Sequence, residues 1–194
     1  MNTASKIEFI GSEYGGFPCC LDDLDKNSII LDAGVGEDIS FALSLHEKIG
    51  CKIELFDFTP DSISWFKAHH SDKDFLTYNE YGLSDFNGLH EVYDYGEGIS
   101  RRPSWMGFEC NEKHPVKTID AILEEKNIRH IDLLKLDVEG EEYRILPHMF
   151  KRGIFPSQIC VEEHSRFLKG NLMHQCVFSK ILEYYMPAAT HQNE

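Results

Sequence analysis

The sequence predicts an α/β protein built on a doubly wound, Rossmann-like sheet of parallel strands with helices on both faces. Three observations carry that expectation. Short apolar runs near residues 29–31, 51–57, 74–81, 130–140 and 158–162 alternate with stretches of helical period. The first run enters its helix through Gly34 and Gly36, residues that allow a tight turn and a close backbone approach. The second run ends on Asp57, about twenty residues past that turn, where a parallel crossover unit places an acid.

With 194 residues the chain has the length of one domain, and its formal charge of -14 with a pI near 5.1 argues against a nucleic-acid partner. Lys and Arg are scattered, not clustered. Of six cysteines, Cys19 and Cys20 are adjacent, and Cys51, Cys110, Cys160 and Cys176 show no metal-finger spacing. Cys51 and Cys160 fall inside predicted strands and read as buried, reduced thiols. Residues 1–6 lack the pattern of a secretory leader, and no apolar run reaches membrane-spanning length. The expectation is a soluble, cytoplasmic protein with no membrane partner.

Residues 7–18 alternate and then break at glycines, so residues 1–27 are expected to form a strand or hairpin extension ahead of a main domain over 28–194. After the glycine turn, Ile39, Ala42, Leu43, His46 and Ile49 give the first helix an inward face. A dinucleotide-binding turn wants a third glycine where this chain has Ile39, and Glu37 and Asp38 add negative charge at the helix start. A cationic adenosine compound without phosphate suits such a turn, and S-adenosylmethionine is the common cofactor of that kind.

Thr59-Pro60 starts a second helix, with Ile63, Phe66 and Lys67 facing inward and His69-His70 at its exposed end. Leu83 and Ser84, in the turn after the third strand, either flank an adenine ring or form an ordinary polar turn. Residues 87–95 alternate as a small hairpin, and residues 96–112 have no period; Arg101, Arg102 and Trp105 there are either a substrate lid or a disordered excursion. Thr118 caps a third helix. Lys135 is the one charge inside the next strand, which ends in Asp137 and Glu139 before Gly140. Pro147 is expected to bend or end the following helix. The fifth strand runs into Glu162, Glu163 and His164, and Met173, Val177, Ile181 and Tyr185 outline a last helix.

Taken together, the segments Asp32-Ala33-Gly34-Val35-Gly36-Glu37-Asp38, Phe56-Asp57-Phe58-Thr59-Pro60, Tyr81-Gly82-Leu83-Ser84-Asp85, Leu134-Lys135-Leu136-Asp137-Val138-Glu139-Gly140 and Val161-Glu162-Glu163-His164 closely resemble the FkbM-type S-adenosylmethionine-dependent methyltransferases. The opening Gly11-Ser12-Glu13-Tyr14-Gly15-Gly16 is similar to that family too. The resemblance implies a class I methyltransferase sheet. It places Asp32, Ala33, Gly34, Gly36 and Glu37 around the methionine part of the cofactor, Asp57 and Phe58 on the ribose side, Leu83 and Ser84 near adenine, and Asp137 beside the sulfonium. It also implies O-methylation of a hydroxyl on a small molecule or sugar. Two features depart from the family pattern. Glu163 stands where an aromatic or aliphatic residue is usual, and the closing strand pair after the fifth strand is lacking. The fifth strand would then be an open edge, which the N-terminal strand, the last helix or a second protomer in a homodimer is expected to cover.

For a hydroxyl acceptor, His164 is the expected general base, with Asp137, Glu139 or Glu162 orienting it or the acceptor. No metal is assigned; Asp137, Glu162 and His164 as ligands of a divalent ion are the less favoured arrangement. Two other readings share the fold: a nicotinamide-dependent oxidoreductase, and a truncated or non-catalytic cofactor-binding module.

Overall fold

Apolar four-residue strands buried on both faces form the centre of the protein, as parallel sheets covered by helices require. The computed structural model describes residues 6–94, 101–103, 112–165 and 172–189. In chain order the elements are β1 (Ile7–Ile10), β2 (Phe17–Cys20), β3 (Ile30–Ala33), α1 (Ser40–Ile49), β4 (Ile53–Phe56), α2 (Pro60–His69), β5 (Leu76–Asn79), β6 (Gly82–Leu83), β7 (Gly88–Asp94), β8 (Arg101–Pro103), β9 (Glu112–Lys117), α3 (Ile119–Glu125), β10 (Leu133–Leu136), α4 (Glu142–Lys151), β11 (Gln158–Val161) and α5 (Leu172–Tyr184). The central sheet is entirely parallel, in the order β11-β10-β3-β4-β5. This is the mixed α/β, Rossmann-like architecture that the alternation of strand and helix periods predicts.

Register decides which side chains share a face. Leu55, Asp32, Lys135 and Cys160 lie in one row across β4, β3, β10 and β11. That face is covered by α1, through Phe41, Ala42 and Leu45, by Phe66 of α2, and by Ile10 and Cys19 of the β1–β2 hairpin. The opposite face, with Leu31, Ala33, Leu134 and Leu136, packs against Ile119 and Ile122 of α3, Tyr143, Ile145, Leu146 and Met149 of α4, and Val177 of α5. Each helix has its apolar stripe on one side, so the sheet is wound from both sides.

Helix boundaries follow local chemistry. Pro60 occupies the first turn of α2, where its missing N–H costs nothing, and the Thr118 side chain accepts a hydrogen bond from Ala121 N at the start of α3. Gly50, in the left-handed conformation, closes α1. Of the two outcomes expected at Pro147, a bend or an end, the second is corrected: α4 runs through it to Lys151. Pro147 itself is exposed, and burial of Ile145, Leu146, Met149 and Phe150 outweighs the ~3 kcal/mol such a proline costs.

A second sheet, β6-β9-β7-β8, was not legible as such. Only its β7 strand was foreshadowed by alternation. Of the segment 96–112, β8 pairs antiparallel with β7, while Trp105, named as part of a lid, lies outside the described residues.

Among the described residues no strand pairs with the outer edge of β11. The hairpin does reach it: the Gln158 side chain accepts from Cys20 N (3.1 Å) and donates to Cys20 O (2.8 Å). On the other face α5 packs on α4, and the Tyr185 hydroxyl donates to Pro156 O (2.8 Å).

Candidate functional site at the strand carboxyl ends

Parallel strands all end on the same side, and here the ladder continues one residue past several of them. Gly34 N donates to Phe56 O, Asp137 N to Ala33 O, Asp57 N to Asn79 O and Glu162 N to Leu136 O. These bonds bring the glycine turn and three acids to one edge of the sheet. Ligands of open α/β sheets bind at that edge.

The two glycines do different work. Gly34 (φ +76°) lies so close to β10 that a Cβ would stand 1.5 Å from Asp137 O, so it is required for packing. Gly36 (φ +53°) has nothing within 4 Å of its Cβ position, and its backbone faces open space. Its amide donates to Asp57 Oδ2 (2.9 Å), while Asp57 Oδ1 accepts from Thr59 N and Oγ1 (both 2.8 Å). Asp57 is therefore turned towards the glycine turn and fixed there. A carboxylate accepts about four hydrogen bonds, so it retains capacity for another donor.

The start of α1 is already satisfied by the chain itself. Asp38 Oδ1 accepts from Ser40 N (2.7 Å) and its Oδ2 from Ser12 Oγ (2.6 Å). Ser12 belongs to the hairpin turn between β1 and β2, whose backbone also bonds Ser40 Oγ (2.7 Å). Tyr14, at the exposed tip, has its phenol pKa raised, first by desolvation and then by the charges of Asp137, Glu139, Glu162 and Asp38. The tip thus stands beside the acidic edge, a feature the sequence pattern did not reveal.

Other expected cofactor contacts are placed differently. Asp32 is interior, 3.0 Å from Lys135 Nζ, and both side chains are buried. Burial alone would lower the Lys135 pKa; the Asp32 and Asp137 carboxylates more than offset this and hold it raised. The pair supports the turn from below. Ala33 is buried at the end of β3, and Glu37 is exposed. Phe58 stacks on His114 (4.7 Å between centroids) and lies against Gly82. Leu83 is part of the core beside Ile119. Ser84 donates to Glu141 Oε1 (2.6 Å), whose other oxygen lies 3.0 Å from His90 Nε2. The Ser84–Glu141–His90 group had no signal in the sequence, because Glu141 is more than fifty positions from the other two.

His164 is the centre of the acidic edge. It is 1 % exposed; its backbone N (3.0 Å) and Nδ1 (3.1 Å) both meet Glu142 Oε1 on α4, and Glu142 Oε2 accepts from Gly140 N (2.9 Å). On the other side of the ring, Nε2 lies 3.9 Å from Asp137 Oδ1, Glu139 Oε2 and Glu162 Oε1 alike. Burial alone would lower the His164 pKa, but Glu142, Glu139 and Asp137 raise it to about 9. The expectation that His164 acts as the base fits this setting poorly: Glu142, Glu139 and Asp137 favour its protonated form, so the ring takes up and releases a proton less readily near neutral pH than a free imidazole does. Asp137 is raised to about 7, chiefly by burial and, after the opposing charge of Lys135, by Glu162 and Glu139. Glu163 turns away from this group, bonding Tyr143 Oη and His174. Glu139 holds a left-handed backbone (φ +52°), and its Oε2 lies 3.9 Å from His164 Nε2.

The family model described as the methyltransferase FkbM domain matches residues 26–184. The chain belongs to the FkbM methyltransferase family. No curated protein and no solved structure matches it. The span matched to the FkbM methyltransferase domain covers the whole central sheet and leaves both strands of the N-terminal hairpin outside it. Such a domain uses a methyl donor, and no helix of the described residues is long and apolar enough to cross a membrane.

Proposed function

We propose that the chain is an S-adenosylmethionine-dependent methyltransferase acting on a hydroxyl oxygen of a small molecule or sugar. The observation that carries the choice of cofactor is the occupied end of α1. Asp38 already fills the amide position that a pyrophosphate would need, and its negative charge repels phosphate while favouring a sulfonium. Ile39, 2 % exposed, occupies the place of the third glycine of a dinucleotide site. These facts weigh against the nicotinamide-dependent reading.

The residues present fit the cofactor. Gly36 leaves open space beside its backbone, and Asp57 keeps acceptor capacity for ribose hydroxyls. S-adenosylmethionine supplies an electrophilic methyl group on a positively charged sulfur. The chain's part is to orient the acceptor oxygen in line, exclude water and take the hydroxyl proton. Because its surroundings favour the protonated form of His164, the proton acceptor falls to a carboxylate beside it, Asp137, Glu139 or Glu162.

Calorimetric titration of the full chain with S-adenosylhomocysteine and NAD tests the proposal. The expected outcome is saturable binding of the first, weakened at least about tenfold (~1.4 kcal/mol) by Asp57→Ala, and none of the second. NAD binding in preference would overturn it. Transfer of labelled methyl to a panel of hydroxylated acceptors, abolished by Asp137→Ala, separates an enzyme from a cofactor-binding module.

A further inference from the structure

We propose that Asp137, Glu162 and His164 form a site for one divalent transition-metal cation, bound through His164 Nε2 and one oxygen of each carboxylate. One ligand atom from each of the three residues lies within 4.8 Å of the others. Metal bonds of ~2.0–2.3 Å hold ligand atoms roughly 3–4.5 Å apart, and Nε2 lies 3.9 Å from both Asp137 Oδ1 and Glu162 Oε1. The sequence alone did not favour this arrangement, because strand-end acids have simpler uses. The geometry reverses that weighting.

What separates this cluster from a solvated acidic patch is the imidazole. His164 is interior, fixed by two contacts to the fully buried Glu142, and its Nε2 is aimed between carboxylates that arrive from two different strand ends. A carboxylate behind the distal nitrogen of a ligating histidine sets its orientation and increases its basicity. The backbones of Asp137 and Glu162 are pinned by the ladder bonds to Ala33 O and Leu136 O, so both are pre-positioned. One imidazole nitrogen with two carboxylate oxygens suits an ion between the hard and soft limits, such as Mn2+. Glu139 Oε2, equally distant from Nε2, stands next to the proposed ion as a further oxygen. Resting on the methyl-transfer reading above, the open positions of the ion would take the acceptor's oxygen and make its proton easier to remove.

The test is titration of the full chain with Mn2+ alone, followed by the loss of the free-ion paramagnetic resonance signal. We expect one ion per chain at micromolar concentration. Glu162→Gln and His164→Gln should each weaken binding about 10–100-fold, and the exposed Glu80→Gln should leave it unchanged. His164 is interior and its variant can fail to fold; Glu162 is half-exposed, so its variant decides the matter with the fold monitored by circular dichroism. Absence of binding below millimolar Mn2+, or binding that Glu162→Gln leaves intact, overturns the site. Because neither cofactor nor acceptor is present, Mn2+ binding by a chain that ignores S-adenosylhomocysteine would sink the methyl-donor reading while the metal site stood.

Discussion

At the scale of single residues, the two glycines of the turn have opposite failure modes. Gly34→Ala drives a methyl into the Asp137 peptide, and both strands would have to move apart. The expected cost is at least about 3 kcal/mol, from the clash and the left-handed backbone together, measured by urea unfolding. Gly36→Ala meets no atom and bears only the conformational penalty of about 1–2 kcal/mol, yet puts its methyl where a ligand would approach. Stability is then nearly retained while affinity for S-adenosylhomocysteine falls. Both glycines were visible in the sequence, but their division of labour was not. It depends on the distance to a peptide about a hundred residues away, which no local pattern encodes. The same reason explains why Asp57 could be placed from its spacing, whereas Glu142, the carboxylate behind His164, gave no sign beyond lying on a helix.

Among the elements, β3 and β10 were readable from apolar runs interrupted by one charge each, and the two charges are partners. Lys135 and Asp32 are adjacent in the register and sealed beneath α1 and the hairpin, with Lys135 Nζ also 5.1 Å from the Phe17 ring centroid. Removing one member leaves an uncompensated interior charge. Lys135→Met should therefore cost about 3–5 kcal/mol, and the double variant with Asp32→Leu should be more stable than the sum of the single variants implies, a coupling that a double-mutant cycle reads directly. The second sheet escaped the sequence because β9, the strand that joins β6 to β7, reads Glu-Lys-His-Pro-Val-Lys. It is half solvated and contains a proline, and composition there resembles a loop. At Pro147 tertiary burial outweighs a local helix breaker, and α4 continues to Lys151.

For the molecule as a whole, the N-terminal hairpin ties the sheet together at two places: its turn is bonded to the start of α1 through Ser12, and its second strand to β11 through Gln158. Gln158→Ala removes the side chain that bonds both the N–H and the C=O of Cys20. The expected loss is about 1–3 kcal/mol, with faster hydrogen exchange at the Cys20 amide and little change in the central strands. That an N-terminal strand or hairpin precedes the sheet was legible from alternation broken by glycines. Where it docks was not, since the face it covers is composed of residues drawn from four strands.

The attachment of Cys20 to Gln158 also has a meaning in time. These partners are separated by 138 positions. On a ribosome adding about 5–20 residues per second, the hairpin emerges many seconds before the strand that receives it exists. The tie from Ser12 to Ser40, 28 positions apart, can form early, whereas the tie from Cys20 to β11 must wait until Gln158 has emerged.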